Sequence, residues 1–306
     1  MNALVSLPQP QSLAATKADS DQKLLASWLD SLGSPHTRRA YNATGSRFLA
    51  ILACPLRSAT VEDVRDALNI INEGRSAATS RQHTLRVKSL LSYAHKLGYT
   101  LFNAGAAIKP PKEARGLAKR ILVEMDVRDL IRGAGGSRNY LLLAVLYGTG
   151  VRVSELVSLN VGDVIDQGNG RVQLHVVGKG GKEREVLLPT TLGAIVLAAC
   201  QGRPSDSPLF ISNSRRYGPK RLSARAVNYI IKKVAAKFNV TPKVSAHWFR
   251  HAHASHSLDR GAPLSVVAAT LGHDNISTTS AYLHAKPGAA SGDALDAEVW
   301  KITPEP

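Results

Sequence analysis

Apolar residues recur at helical spacing through the first hundred positions. Leu24, Leu25, Trp28, Leu29 and Leu32 fall on one stripe. Tyr41, Phe48 and Leu52 form a second, behind Ser34-Pro35, a pair suited to an N-cap and the first helical position. Thr60-Val61-Glu62-Asp63 has the pattern of a capping box ahead of Val64, Leu68 and Ile71. A fourth run covers about 77–97 and stops at Gly98. These stripes predict a small all-helical domain over residues 20–104. The Ala/Ser/Pro/Gln-rich stretch 1–19 reads as a flexible tail.

The pattern then changes. Residues 105–120 read as a linker, because Pro110-Pro111 blocks a helix and five basic residues stand there against one acid. Residues 121–290 predict a mixed α+β domain. Helices are expected over Val123–Leu130 and Tyr140–Leu146, then a break at Gly148-Thr149-Gly150, then a helix over Val153–Leu159. Val172–Val177 alternates like a strand, and Val186–Leu188 is its expected partner across the glycine-rich turn Gly178–Lys182. Helices are expected at about 190–200, 223–238, 245–259, 263–271 and 276–283, with Ser245 capping the third of these and Asn275 or Ser277 opening the last. Residues 291–306 form a C-terminal tail in which Leu295, Val299 and Trp300 suit a short helix docking on a neighbouring protomer, or a frayed end. The fold class is therefore mainly α with a small β-sheet.

Composition narrows the partner. The longest apolar runs are far too short to span a bilayer, and the first residues lack the charge-then-apolar order of a signal peptide. The two cysteines, Cys54 and Cys200, sit far apart, which argues against a disulfide framework and fits a reducing cytoplasm. A net charge of +16 and a pI near 10.1 imply an anionic partner. The basic residues are spread along the chain and not gathered in one amphipathic helix, so a long polyanion fits better than a membrane surface. Arg81, Arg86 and Lys88 on the fourth helix, Lys112, Arg115 and Lys119 in the linker, and Lys182 and Arg184 beyond the hairpin tip are the candidate phosphate contacts.

Four short words carry candidate chemistry. In the first, Gly148 to Leu156, Arg152 follows a glycine break at a helix start. It is either a surface arginine or a guanidinium fork for a phosphate. In the second, Lys179 sits between glycines at the hairpin tip; it is a solvent-facing turn residue, a group reaching into a DNA groove, or a proton donor to a leaving oxygen. In the third, His247 and Arg250 stand at i and i+3. One can move a proton while the other holds negative charge. His251, His253 and His256 crowd the same helix, and His247 and His251 have the spacing of a zinc helix. Trp248 stands where the zincin word needs Glu, however, and no cysteine or carboxylate cluster completes a site. No metal is expected, and the extra histidines read as packing or surface residues. In the fourth, Leu271-Gly272-His273-Asp274 precedes Ser277 to Tyr282; alone, such a tyrosine is an ordinary aromatic.

In order, the words YGTGVRVSELVSL, GKGGKEREVLLP, HWFRHAHASH and LGHDNISTTSAYLH resemble the tyrosine recombinase (phage-integrase type) family, in its Xer-like, two-domain form. They span about 147–284, and residues 20–104 resemble more loosely the four-helix, SAM-like core-binding domain of such enzymes. Phe249 stands where the family word has Leu. The resemblance implies that Tyr282 attacks a DNA phosphodiester, leaving a 3′-phosphotyrosyl bond and a 5′-hydroxyl. It implies that Arg152 and Arg250 clamp the non-bridging oxygens, that His273 adds a hydrogen bond to them, that Lys179 protonates the leaving oxygen, and that His247 assists proton transfer. Glu155 would orient Arg152. No cofactor is implied, neither ATP nor magnesium. Double-stranded DNA is the implied partner, held by a homo-tetramer on two sites that exchanges strands through a Holliday junction. A monomer free in solution, and a partner recombinase or accessory factor, stay open. The implied location is the cytoplasm, at the nucleoid. Three rivals stand beside this: an unreactive DNA-binding protein of the same fold, a type IB topoisomerase or hairpin-forming resolvase, and a metal-dependent hydrolase built on the histidine-rich helix.

Overall fold

The computed structural model describes residues 15–112, 117, 120–212, 219–241 and 243–283. The chain divides into two compact units, Met1–Arg115 and Gly116–Pro306. It is mainly α, with a three-stranded and a two-stranded antiparallel sheet among the described residues of the second unit.

Unit 1 holds α1 (Asp21–Asp30), α2 (Pro35–Ile51), α3 (Val61–Asn72) and α4 (Ala77–Lys96). The apolar stripes meet in one core that includes Leu24, Trp28, Phe48, Val64, Leu68, Ile71 and Leu90. The capping box at α3 is present: Asp63 N–H donates to Thr60 Oγ1 at 3.2 Å, and Thr60 N–H donates to Asp63 Oδ2 at 2.9 Å. Ser34 makes no side-chain cap bond, so Pro35 at the first turn, with its preset φ, marks the start of α2.

Two predicted phosphate contacts of α4 are redirected inward. Lys88 donates its ammonium to the carbonyls of Gly105 and Ile108, and Ile108 is itself buried in the unit 1 core. Lys88 thus ties the start of the expected linker to α4. Arg86 donates to Thr44 Oγ1 at 3.1 Å and lies over the Tyr41 ring. Each of these expected phosphate contacts finds a partner within its own unit. Arg81 is half-buried and donates to Pro111 O at 3.1 Å, and Lys112 is exposed. Arg115, Lys119 and the tail 291–306 lie outside the described residues.

Unit 2 contains α5 (Glu124–Arg132), α6 (Ser137–Thr149), α7 (Val153–Ser158), β1 (Val164–Asp166), β2 (Val172–Val177), β3 (Glu183–Leu187), α8 (Thr190–Cys200), β4 (Ile211–Ser212), β5 (Lys220–Arg221), α9 (Ala224–Lys237), α10 (Ala246–Asp259), α11 (Leu264–Leu271) and α12 (Ile276–Ser280). Leu141, Leu142, Leu143, Val145 and Leu146 of α6 are all buried, so this helix runs through the core. It packs on α10. Strand order is β1-β2-β3, with Leu174 opposite both Val164 and Val186. Val172, Leu174 and Val176 point inward as the alternation requires.

Three local expectations change. Two short strand pairings, β1 on β2 and β4 on β5, lie in segments too short to show alternation. Ser245 makes no side-chain cap bond; Asn228 Oδ1 of α9 accepts from Ala246 N–H at 3.0 Å instead, a cap supplied by tertiary packing. The last helix ends at Ser280, with Asn275 Oδ1 capping Ser277 N–H at 2.9 Å.

Candidate active site

Two helix ends organise the site. Gly150 closes α6 and Gly272 closes α11, each in the left-handed region, at φ 62° and 64°. A Cβ on Gly150 would lie 2.6 Å from His253 Cδ2, so neither conformation nor space admits a side chain there. Arg250, on α10, is 2% exposed and donates one guanidinium nitrogen to Gly150 O at 2.8 Å and another to Leu271 O at 2.7 Å. It therefore spans the C-terminal carbonyls of two helices, where the helix dipoles are negative. Those bonds use two of its five N–H donors. Burial first, and Arg152 next, push its pKa down to about 10, which leaves it a cation at neutral pH.

Arg152 opens α7 directly after the Gly150 turn. It donates to Glu155 Oε1 at 2.7 Å and to Gly272 O at 3.4 Å. Glu155 also accepts from the Arg152 backbone N–H at 2.8 Å, which ties the carboxylate to the helix start. Glu155, expected to orient Arg152, makes bonds to it, and it has a second cation that the sequence assigned elsewhere. Arg184 of β3, expected to contact DNA, is 14% exposed in its side chain. It donates to both Glu155 oxygens, at 3.1 and 2.8 Å, and to Thr270 O at 2.9 Å. Its guanidinium lies 3.1 Å from where a Cβ on Gly272 would stand. Its place on β3 puts it under the α11 turn, where it holds Glu155 and borders the cleft beside Arg152.

Burial pushes the Glu155 carboxyl up, but the bonds from Arg184 and Arg152 outweigh that and hold it below the usual glutamate range. A depressed folded pKa gives stability that is present above the unfolded value and lost as pH falls through the folded one. Glu155→Gln is expected to cost about 3 kcal/mol at pH 7, since it leaves Arg184 buried without its counter-charge. The wild-type advantage over Glu155→Gln should shrink as pH falls below about 4. Urea unfolding at both pH values checks this, and a constant difference between the proteins would sink the electrostatic account.

The histidines divide. His273 follows Gly272 in the turn that caps α11, with His273 N–H donating to Ala268 O and Gly272 N–H to Ala269 O. This six-to-one and five-to-two pairing explains why Leu-Gly-His reads as one unit. Its Nδ1 bonds Thr279 Oγ1 at 2.7 Å, which sets the ring. Burial first, then Arg250, Arg152, His247 and Arg184, bring His273 down to about 4. His247 has a solvent-reaching edge, yet desolvation, then Arg250, Arg152 and Arg120, lower it as well. Both rings are neutral at physiological pH.

Tyr282 is 6% exposed, with its ring against Ala254, Val267 and Leu271. Burial raises its pKa, and Arg250 partly opposes that. Its hydroxyl meets His251 Nδ1 at 2.7 Å. His251, expected from sequence as a packing or surface residue, thus meets the expected nucleophile. No spacing rule points to it, because Tyr282 returns to α10 through the α11–α12 turn. His253 and His256 serve structure: Nδ1 of His253 bonds Tyr147 O at 2.7 Å, and that of His256 bonds Tyr147 Oη at 3.0 Å. Among the described residues, no group of three or more His, Cys, Asp or Glu side chains is placed to hold a metal ion.

A cleft of about 310 Å³ runs beside these groups, lined by Arg152, Lys179, Lys182, Arg184, His273 and Asp274 among others. Lys179 is exposed on the β2–β3 turn. Lys182 reaches across to Asp274 at 2.5 Å, both largely exposed, so the pair is a weak surface bridge. Arg120 adds positive charge near His247 and His251. Its place in the basic linker was visible in sequence, but its proximity to α10 was not. Among the described residues no helix is long and apolar enough to cross a membrane.

Comparison with known proteins bears on this arrangement. The profile of the phage integrase family matches residues 119–288. Tyrosine recombinase XerA of Pyrococcus horikoshii is 35% identical over 223 residues, 71% of this chain and 74% of that protein. Tyrosine recombinase XerD of Rhizobium meliloti is 35% identical over 258 residues, 78% of this chain and 80% of its own length. Among solved structures, XerH site-specific recombinase bound to palindromic difH substrate, a post-cleavage complex, is similar with a TM-score of 0.70 at 18% identity, over 88% of this chain and 82% of that one. A lambda integrase dimer bound to a COC′ core site gives 0.67 at 18% identity, over 89% and 80%. These two likenesses concern the fold.

Proposed function

The chain belongs to the phage integrase family, and from that premise we propose that it is a site-specific tyrosine recombinase that cuts and rejoins duplex DNA through Tyr282. The phenol oxygen attacks the scissile phosphorus, the P–O5′ bond breaks, and the strand is held as a 3′-phosphotyrosyl ester. Because that ester conserves the bond energy, rejoining is the same step reversed, with the 5′-hydroxyl as nucleophile. Arg152 and Arg250 hold the non-bridging oxygens where negative charge grows. His273, ring set by Thr279, donates to the same oxygens. Lys179 protonates the leaving 5′ oxygen, and His247 serves proton movement at the site. No step is routed through a metal or nucleotide.

The observation that carries this reading is the convergence on α10. Arg250, fixed by Gly150 O and Leu271 O, gathers groups from two remote stretches: Arg152 after one helix-capping glycine, and His273 and Tyr282 after the other. A buried, backbone-anchored cation beside a second one suits an anionic transition state, and the preset geometry needs little reorganisation. The family supplies the rest. Residues 20–104 serve as core-binding domain and 121–290 as catalytic domain, with the basic segment 105–120 crossing the duplex. Arg81, Lys112 and Lys182 among the described residues, together with Arg115 and Lys119, serve as phosphate contacts in this reading. Four protomers act on two sites through a Holliday junction, in integration, excision or resolution, and the work is done in the cytoplasm at the nucleoid.

The test is a pool of nicked duplexes with a randomised core, incubated with the protein in EDTA and quenched in SDS. A protease-sensitive adduct on the 3′ end of the cut strand, with a free 5′-hydroxyl opposite, is expected, and sequencing the captured DNA gives the site. Ordinary DNA binding with no adduct would favour an unreactive binder, and attachment at a 5′ end would refute the chemistry.

A further inference from the structure

We propose that His251 is a second catalytic histidine: its Nδ1 holds the hydroxyl of Tyr282 and takes the phenolic proton as that oxygen attacks phosphorus. The proposal deepens the recombinase reading and rests on Tyr282 being the nucleophile.

The contact is specific. Tyr282 Oη lies 2.7 Å from His251 Nδ1, and both residues are buried, at 6% and 7% exposure. The other ring nitrogen, Nε2, is buried with no hydrogen-bond partner among the described residues. Burial first, then His247, Arg120, Arg250 and His273, bring His251 down to about 4, so its ring is neutral at pH 7. A neutral imidazole has one N–H and one lone pair. In the proposed step the phenol donates, so Nδ1 accepts and Nε2 carries the hydrogen. That is the tautomer of a waiting base. His247, the histidine that the sequence marked for proton work, stacks edge-on against His251 with ring centroids 4.3 Å apart. It lies one helical turn along α10, next to the ring that meets the nucleophile.

The same surroundings keep the proton in place until DNA arrives. Tyr282 is raised by burial, and His251 is lowered by burial and by the cations around it, so transfer in the free protein is uphill. A phosphodiester beside Arg152, Arg250 and Arg120 brings negative charge that offsets those cations and raises His251. As the Oη–P bond forms, the phenolic O–H becomes acidic and its proton passes to His251 Nδ1. The P–O5′ bond breaks, and the 5′ oxygen takes a proton from Lys179. On rejoining, His251 returns its proton to the departing phenolate. An exposed phenol would need no such partner; a buried one does.

The test uses the site captured above, in single-turnover adduct formation, with His251→Asn and His251→Phe. Asn keeps a hydrogen-bonding atom near the place of Nδ1 but cannot titrate. Both variants are expected to bind the site as the wild type does and to form adduct about 10²-fold more slowly. The Asn variant should also lose the rise in rate with pH that neutral His251 gives. A second arm supplies hydrogen peroxide as nucleophile to Tyr282→Phe protein. There the phenol is gone, so adding His251→Phe leaves two packed aromatic rings and should not slow peroxide-driven cleavage. Equal losses in the peroxide and tyrosine reactions would mean that His251 serves the fold or the phosphate, and would overturn the proposal. Wild-type rate and pH profile in His251→Asn would overturn it too. An adduct surviving in Tyr282→Phe would instead remove the nucleophile itself, and the proposal with it.

Discussion

Tyr282→Phe protein is expected to bind its DNA site with wild-type affinity and to form no covalent adduct, a fall of at least ~10⁴-fold in strand cleavage. The substitution removes one oxygen. The ring keeps its packing against Ala254, Val267 and Leu271, so the satellite core between α10 and α11 is retained. What changes in the resting protein is His251, whose Nδ1 loses the partner it has at 2.7 Å. An unsatisfied buried acceptor costs about 1–3 kcal/mol, enough to lower the melting temperature by a few degrees without unfolding the unit. Gel-shift titration and an SDS adduct assay on the same samples separate binding from chemistry. Residual adduct would move the nucleophile to another residue. A loss of binding as deep as the loss of cleavage would show that Tyr282 supports the DNA-bound fold.

Much of this molecule was visible in its sequence, and the reasons differ by element. The stripe of α3 is visible because a capping box, an amphipathic run and a glycine follow one another inside fifteen residues or so. The strand β2 is visible because one of its faces packs on α8, so alternation is strict from Val172 to Val176. Short β1, β4 and β5 have too few residues to show a period, and their pairing is decided by partners elsewhere. At the site, Arg152, Arg250, His273 and Tyr282 stand out because their words, in order and together, resemble one family, while each taken singly has an ordinary reading. The helix-ending glycines Gly150 and Gly272 are part of those words.

What the sequence hid is long-range. Arg184 and Lys182 are two positions apart and look alike as basic residues flanking a hairpin. Their places separate them: Arg184 lies inside β3 and goes to buried Glu155, while Lys182 lies in the turn before it and goes to exposed Asp274. His251 and His253 are likewise neighbours in one histidine-rich helix, yet the helical twist sends one to Tyr282 and the other to the carbonyl of Tyr147. A charge run or a histidine run therefore says that a site is near, while the division of labour within it comes from packing. The same point explains why Lys88 and Arg86 bind their own unit. A long cationic side chain on a helix satisfies the nearest free acceptor, which can be a buried backbone carbonyl as readily as a phosphate.

Arg250 is where fold and chemistry depend on one side chain, so its two substitutions should come apart. In Arg250→Ala the carbonyls of Gly150 and Leu271 lose donors at 2.8 and 2.7 Å, and a cavity opens beneath α6 and α11. Hydrogen bonds from a charged group contribute about 1.5–3 kcal/mol each, so a loss of roughly 3–5 kcal/mol in urea unfolding is expected. Cleavage should fall by ~10³-fold or more, with part of that fall coming from disorder of the His273 turn. Arg250→Lys keeps the positive charge but replaces a planar fork with a single point that cannot span both carbonyls and also face a phosphate. It should recover about half of the lost stability, yet cleavage should stay roughly 10²-fold below wild type while DNA affinity is nearly unchanged. That split assigns the fork to the transition state, because ground-state attraction needs only charge. If Lys restored cleavage as fully as it restored folding, a point charge would suffice, and the two-carbonyl anchoring of Arg250 would belong to the fold alone.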